Sequence, residues 1–294
     1  MKTPIVFATD HNFVMPSCVA ILSLLESSDS GTEWDINVLL SPGVTEEDKE
    51  ILSRQVKESG KNAQIRFVEI GKVFLQGYET RGISNACYNR LLIPWLLPEY
   101  DKIIYSDTDV IFKGDISYIY QTDLKDNYVA GVTGEVWSKG AIRKYLLKLG
   151  VTPEKYINSG FLLINSKLQR EKGLNEKYME LVKRRHIYQD QDIINIACRD
   201  RIAHLPEKIN LKPSVAAMQR QGEVDMIHYI GLKPWNHFTY CWDDWWSVCK
   251  KSVVYNPQRY HSLSAHILDL KSRFKVLHLK TRENLKFRYK LLTY

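Results

Sequence analysis

Three short apolar runs, Ile5–Ala8, Asp35–Leu40 and Ala63–Val68, alternate with two stretches of helical periodicity. This alternation limits the fold more than any other feature of the chain. In the first helical stretch, Pro16 opens a helix that sets Cys18, Ile21, Leu22 and Leu25 on one face. In the second, Thr45 with Asp48 three residues later reads as the N-cap of a helix running through Val56. Strand–helix–strand–helix–strand predicts a parallel α/β sheet of nucleotide-binding type. Ligands of such sheets gather at the carboxyl ends of the strands, and Thr9–Phe13 leaves one such end.

A second such end follows later. Asp101–Phe112 reads as a buried strand in which two apolar runs flank Asp107-Thr108-Asp109. Residues two apart on a strand point the same way, so Asp107 and Asp109 can share a divalent cation if the strand persists there. Carboxylates suit hard cations such as Mg²⁺ or Mn²⁺, which usually carry a phosphate as partner. The tripeptide alone is a weak signal, because about one Asp-x-Asp arises by chance in a chain of this composition. A second does occur, Asp190-Gln191-Asp192. The apolar surroundings give the first its weight, since buried carboxylates need a compensating cation. A solvated strand end is the alternative.

Other polar residues sit in apolar settings. Arg90, within Ser84–Pro98, needs an anionic partner, either a diphosphate or a structural carboxylate. Tyr128–Val132 and Tyr156–Asn165 read as further strands, and Asn158 at the entry of the second is a cap or a ligand contact. Gln189–Asn195 begins a helix whose acidic first turn, Asp190 and Asp192, suits the helix dipole. His228-Tyr229-Ile230-Gly231-Leu232-Lys233-Pro234-Trp235 sets a histidine before a glycine turn and a lysine fixed by its neighbours. His228 can complete a metal shell and Lys233 can neutralise a phosphate. Asp10 can accept from a base or ribose, or serve a turn; Phe13 can stack on a base, or fill the core. Trp242, Trp245 and Trp246 fit packing under a helix or stacking on a sugar face.

No Gly-x-Gly-x-x-Gly follows the first strand and no P-loop signature occurs, which argues against a dinucleotide oxidoreductase and a P-loop ATPase. The five cysteines are scattered without Cys-x-x-Cys, as expected of reduced thiols. Net charge is +7, and it is uneven: residues 265–294 carry 8 Lys/Arg against 2 Asp/Glu, so +6 belongs to the tail and +1 to the rest.

Taken in order, Ile5–Phe13, Arg90–Pro98, Asp107-Thr108-Asp109, Asn158–Asn165, Asp190-Gln191-Asp192 and His228–Trp235 resemble glycosyltransferase family 8 over residues 5–255. That family comprises retaining transferases of GT-A fold, among them bacterial lipopolysaccharide galactosyl- and glucosyltransferases. The resemblance implies a mixed central sheet with a Rossmann-like N-terminal half flanked by helices, a UDP-sugar donor and Mn²⁺ (or Mg²⁺). It implies metal ligation by Asp107, Asp109 and His228. Ala8, Asp10, Asn12 and Phe13 would line the uridine pocket, and Gly231 and Lys233 would meet the diphosphate. Arg90, Asn158 and Asp190 would contact the donor sugar or its phosphate, and Gln191 would lie on the β face of the anomeric carbon. The family's base-stacking position is often Tyr and here is Phe13; a donor-contacting Asp is replaced by Glu135.

The expected activity is Mn²⁺-dependent transfer of a hexose, galactose or glucose, to a hydroxyl of a glycan or lipid-linked oligosaccharide. Gln191 or Asp190 would act at the reacting centre. A sugar nucleotidyltransferase and a non-catalytic nucleotide-sugar or glycan-binding protein are the alternatives. Residues 1–255 are expected to form the catalytic domain and 256–294 a basic amphipathic segment. That segment suits an anionic membrane surface or a solvated face on a packed helix, and no nucleic-acid motif supports a third use. No apolar run approaches a signal h-region or a membrane span, so the expected location is cytoplasmic, peripheral at the inner face of the membrane.

Overall fold

A computed structural model of the chain describes residues 2–71, 78, 85–134, 140–220 and 222–268. Its strands are β1 (Lys2–Thr9), β2 (Glu33–Leu40), β3 (Ala63–Glu69), β4 (Ile103–Ser106), β5 (Val110–Phe112), β6 (Val129–Thr133), β7 (Ile157–Ile164), β8 (Ile202–His204) and β9 (Met226–His228). Among the described residues, seven of them form one sheet in the order β3-β2-β1-β4-β7-β6-β8. The first three strands and β4 run parallel, as the alternation predicts. β7 turns antiparallel to both β4 and β6, which makes the sheet mixed.

Alternate residues of the central strands enter opposite cores, and this explains their continuous apolar runs. Ile5, Phe7, Ile104, Phe161 and Leu163 join one cluster; Val6, Ile103, Tyr105, Leu162 and Ile164 join the other. The first face is covered by the helices Val14–Ser27 and Glu46–Glu58. Leu24 and Ile21 are fully buried there, each contributing about 1.5–3 kcal/mol of transfer free energy. Pro16 lies in the first turn of its helix rather than opening it. The capping box of Thr45 and Asp48 is present, with each side chain accepting from the other's backbone N–H. The segment Asn85–Leu96 is a 3₁₀ run followed by one α-turn.

The central strand departs from expectation. It breaks at the acidic pair: β4 ends at Ser106, and β5 leaves the main sheet to pair antiparallel with β9 in a separate ribbon. Asp107 and Asp109 therefore do not share the face of one strand. They occupy the corner between the sheet and the ribbon. Trp242, Trp245 and Trp246, on the helix Trp242–Cys249, pack with Ile111, Ile227, Tyr229 and Trp235 under that ribbon. Trp246 Nε1 donates to the Pro234 carbonyl at 3.0 Å, and Tyr229 Oη donates to the Cys241 carbonyl at 2.7 Å. The tryptophans are thus packing residues that fix the segment after His228.

The five cysteines are free thiols. The helix Pro257–Leu268 opens against the body, with the Tyr260 ring stacked on Trp242 at 5.6 Å. Glu135 and residues 269–294 lie outside the described residues. No helix among the described residues is long and apolar enough to cross a membrane.

Candidate active site

The ribbon register explains why residues far apart in sequence meet. Val110 pairs with His228, so His228 stands beside Asp109 across the ladder. Its Nε2 lies 3.2 Å from Asp109 Oδ1 and 3.6 Å from Asp107 Oδ2. One ligand atom from each of the three residues lies within 4.8 Å of the others. In octahedral geometry with bonds of about 2.1 Å, neighbouring ligand atoms stand about 3.0 Å apart. Two carboxylates and one imidazole at these separations fit Mn²⁺ or Mg²⁺.

The remaining lone pairs of the trio are committed. Asp107 Oδ1 accepts from Tyr105 Oη at 2.6 Å and pairs with Arg90 Nη2 at 2.9 Å, which leaves Oδ2 on the His228 side. Asp109 Oδ2 pairs with Lys233 Nζ, which also donates to the Tyr229 carbonyl at 2.9 Å. Burial acts to raise the Asp109 carboxyl, but Lys233 and His228 beside it outweigh burial and hold it well below the usual carboxylate range. Thr108 is buried between the two acids.

Arg90 answers the open question of its partner with carboxylates. Besides Asp107 it pairs with Asp190 at 3.2 Å through Nε, and it donates to the carbonyls of Ser159 and Cys87. Its carbon Cζ lies 4.7 Å from the centre of the Tyr105 ring. Burial pulls the guanidinium down, yet Asp107 and Asp190 carry it well above its ordinary value. The Asp190 carboxyl is raised, burial prevailing over the pull of Arg90. Asp190 and Asp192 do form the first turn of the helix Gln189–Ala197, but both are buried. Asp192 is held by the hydroxyls of Tyr145 and Tyr156 and serves the core, not solvent.

The end of β1 reaches the same corner, since Phe7 pairs with Ser106 on β4. Ala8 is half-buried there and Asn12 exposed. Asp10 Oδ1 caps a short 3₁₀ turn by accepting from the N–H groups of Asn12 and Phe13 at 2.8 and 3.1 Å. The Phe13 ring meets Trp235 edge-on at 5.9 Å, which joins this segment to the Lys233 loop. Gly231, with φ +93°, makes the turn between His228 and Lys233. A side chain is tolerated there only at a conformational cost.

On the opposite wall, Gln191 Oε1 accepts from Asn158 Nδ2 at 2.9 Å and from Ser159 N–H at 3.2 Å. Gln191 Nε2 is buried beside the Tyr156 hydroxyl. Three contributors carried no decisive sequence signal: Tyr105, Gly160 and Asn210. Tyr105 shows only as an apolar strand residue. Gly160 shows only as a glycine at a strand entry, although a Cβ on it would lie 2.2 Å from His228 Cε1 and 2.8 Å from Asp107 Oδ2. Asn210, which bonds His228 Nδ1 at 2.8 Å, has no local pattern at all.

The description of glycosyl transferase family 8 matches residues 4–239. The chain belongs to glycosyl transferase family 8. Among relatives of this family 8 chain, the glycosyltransferase GlyE of Streptococcus pneumoniae is 26% identical over 277 residues, covering 87% of this chain and 63% of GlyE. The lipopolysaccharide glucosyltransferase WaaO of Escherichia coli is 25% identical over 260 residues, covering 81% of this chain and 74% of WaaO. Galactosyltransferase LgtC, solved with donor and acceptor sugar analogues, superposes with a TM-score of 0.75 at 26% identity, covering 89% of this chain and all of LgtC. The chain spans less than two thirds of the length of GlyE. The mixed sheet and its flanking helices are those of the GT-A fold.

Proposed function

We propose that this family 8 chain transfers a hexose from a UDP-sugar to a hydroxyl of a glycan or lipid-linked oligosaccharide, with retention and with Mn²⁺ or Mg²⁺. The observation that carries this reading is the convergence of Asp107, Asp109 and His228 beside Lys233 at the carboxyl edge of the sheet. Asp107, Asp109 and His228 would hold a divalent ion, which would supply positive charge near the departing diphosphate. Lys233 adds a second charge where negative charge develops, with Gly231 giving the backbone room to approach the phosphates. Ala8, Asp10, Asn12 and Phe13 line the nucleoside end. Arg90 acts through Asp107 and Asp190, holding both side chains in place at the donor site.

The anomeric carbon gains oxocarbenium character as its bond to the diphosphate oxygen breaks. The bonding pair leaves with the diphosphate. The acceptor oxygen bonds to the same carbon from the same side, and its proton passes to a diphosphate oxygen. Gln191 is a weak nucleophile, which favours this front-face course, with Gln191, Asn158, Asp190 and Glu135 holding the sugar. The names of WaaO and LgtC speak of glucosyl and galactosyl transfer, and we take both hexoses, and lipopolysaccharide assembly, as the first candidates. Residues 1–255 would form the catalytic unit. The basic segment 256–294 would dock it on an anionic membrane surface from the cytoplasmic side, close to a lipid-linked acceptor.

The test is incubation with UDP-glucose, UDP-galactose and their N-acetyl forms plus Mn²⁺, following UDP release and sugar transfer. Release from one of the hexose donors that stops with EDTA supports the reading. Pyrophosphate-dependent formation of UTP, or donor binding without any turnover, would overturn it.

A further inference from the structure

A line of side-chain amides joins His228 to Gln191, and its polarity is fixed at one end by backbone groups that can only donate. Gly160 N–H donates to Asn158 Oδ1 at 2.9 Å, and Ser159 N–H donates to Gln191 Oε1 at 3.2 Å. Both oxygens are therefore acceptors, and the amide orientations follow. Asn158 Nδ2 donates to Gln191 Oε1 at 2.9 Å. Asn210 Nδ2 donates to Asn158 Oδ1 at 2.9 Å. Asn210 Oδ1 then faces His228 Nδ1 at 2.8 Å and accepts from it. His228 therefore donates from Nδ1, and Nε2 is the ring nitrogen that faces Asp107 and Asp109.

Asn210 is held for this task. It follows the 3₁₀ turn Glu207–Ile209, and its own N–H donates to the Glu207 carbonyl at 3.1 Å. The next residue, Leu211, is stitched to β9 on both sides: its N–H reaches the Met226 carbonyl and its carbonyl accepts from His228 N–H at 2.8 Å. Asn210 is 9% exposed and His228 4%, so water offers neither a ready substitute partner. At the far end, Gln191 Nε2 is buried beside the Tyr156 hydroxyl, which itself donates to Asp192.

We propose that Asn210 is a positioning residue that sets two sites through one amide. It fixes the His228 tautomer and ring for the divalent ion, and through Asn158 it holds the Gln191 amide in one orientation at the donor site. This rests on the reading of the chain as a metal-dependent sugar transferase.

The test measures Mn²⁺ affinity by electron paramagnetic resonance in the presence of UDP, together with kcat and KM for the donor. The wild type, Asn210→Leu and Asn210→Asp are compared. Asn210→Leu removes both hydrogen bonds and should weaken Mn²⁺ binding about 10–100-fold. Asn210→Asp keeps an acceptor for His228 Nδ1–H but sets an oxygen against Asn158 Oδ1. It should hold Mn²⁺ at least as tightly as the wild type while kcat falls about tenfold with KM little changed. Mn²⁺ affinity within twofold of the wild type in Asn210→Leu overturns the proposal. If that variant does not fold, an unchanged kcat in Asn210→Asp overturns it. A wild type that binds no Mn²⁺ with UDP overturns the functional reading, and this proposal with it.

Discussion

Gly160 and His228 occupy adjoining space that allows only one of them a side chain. A Cβ on Gly160 would lie 2.2 Å from His228 Cε1, closer than atoms can approach. Gly160 N–H and carbonyl are both in use, to Asn158 Oδ1 and from Asp107 N–H at 2.8 Å, so the backbone cannot retreat without breaking them. Gly160→Ala should therefore displace the imidazole. Overpacking of this kind costs about 1–3 kcal/mol, and Mn²⁺ affinity should fall about tenfold or more. Thermal unfolding and Mn²⁺ titration check this; wild-type values in both would show that the corner has room.

Arg90 is buried between Asp107 and Asp190. Removing one member of a buried charge group costs about 3–5 kcal/mol, because the partners remain unpaired. Arg90→Leu should lower Tm by about 10 °C. Arg90→Lys should recover little, since an ammonium cannot reach both acids and the Ser159 and Cys87 carbonyls with one planar fork. Calorimetric scans of both variants decide the point, and a Tm within about 2 °C of wild type for Arg90→Leu contradicts it.

His11 Nδ1 lies 2.8 Å from Asp48 Oδ2, and the hydrogen bond and charge of Asp48 raise the imidazole above its ordinary value of 6.5. A raised folded-state value means that protonation favours folding. The contribution is full below the ordinary value and fades as pH rises through the raised one. The Tm difference between wild type and His11→Gln should be largest near about pH 5 and vanish near about pH 9. A difference that does not change with pH would separate His11 from Asp48.

The basic segment is tested by truncation after Leu268, which keeps Tyr260 on Trp242. The shortened chain should retain donor hydrolysis and lose sedimentation with anionic vesicles. Equal sedimentation would remove the membrane role from residues 269–294.

Much of the site was legible because its signals are local. The Thr45–Asp48 box needs only a spacing of three, and it is present. The alternation of Ile5–Val68 foretold the parallel half of the sheet. Asp107, Asp109, His228 and Lys233 were singled out from their apolar or turn-bound settings, and the structure brings them together. The break between β4 and β5 was not legible. A period of two carries no information on where a strand changes sheet, and the partner that draws Val110 away is His228, on a strand of three residues. Asn210 was equally hidden, because its partners Asn158 and His228 are non-local in sequence. The acidic first turn of Gln189–Ala197 misled for a related reason: dipole chemistry says nothing about burial, and Asp192 spends its charge on two buried tyrosine hydroxyls.

In the proposed mechanism, nucleotide binding runs through a divalent ion held by Asp107, Asp109 and His228. The most direct measurement is calorimetric titration of UDP into the wild type and Asp109→Ala, each with Mn²⁺ and with EDTA. Binding is expected for the wild type with Mn²⁺ alone, and that binding should be lost in EDTA and in the variant. Equal UDP affinity in all four titrations would contradict it.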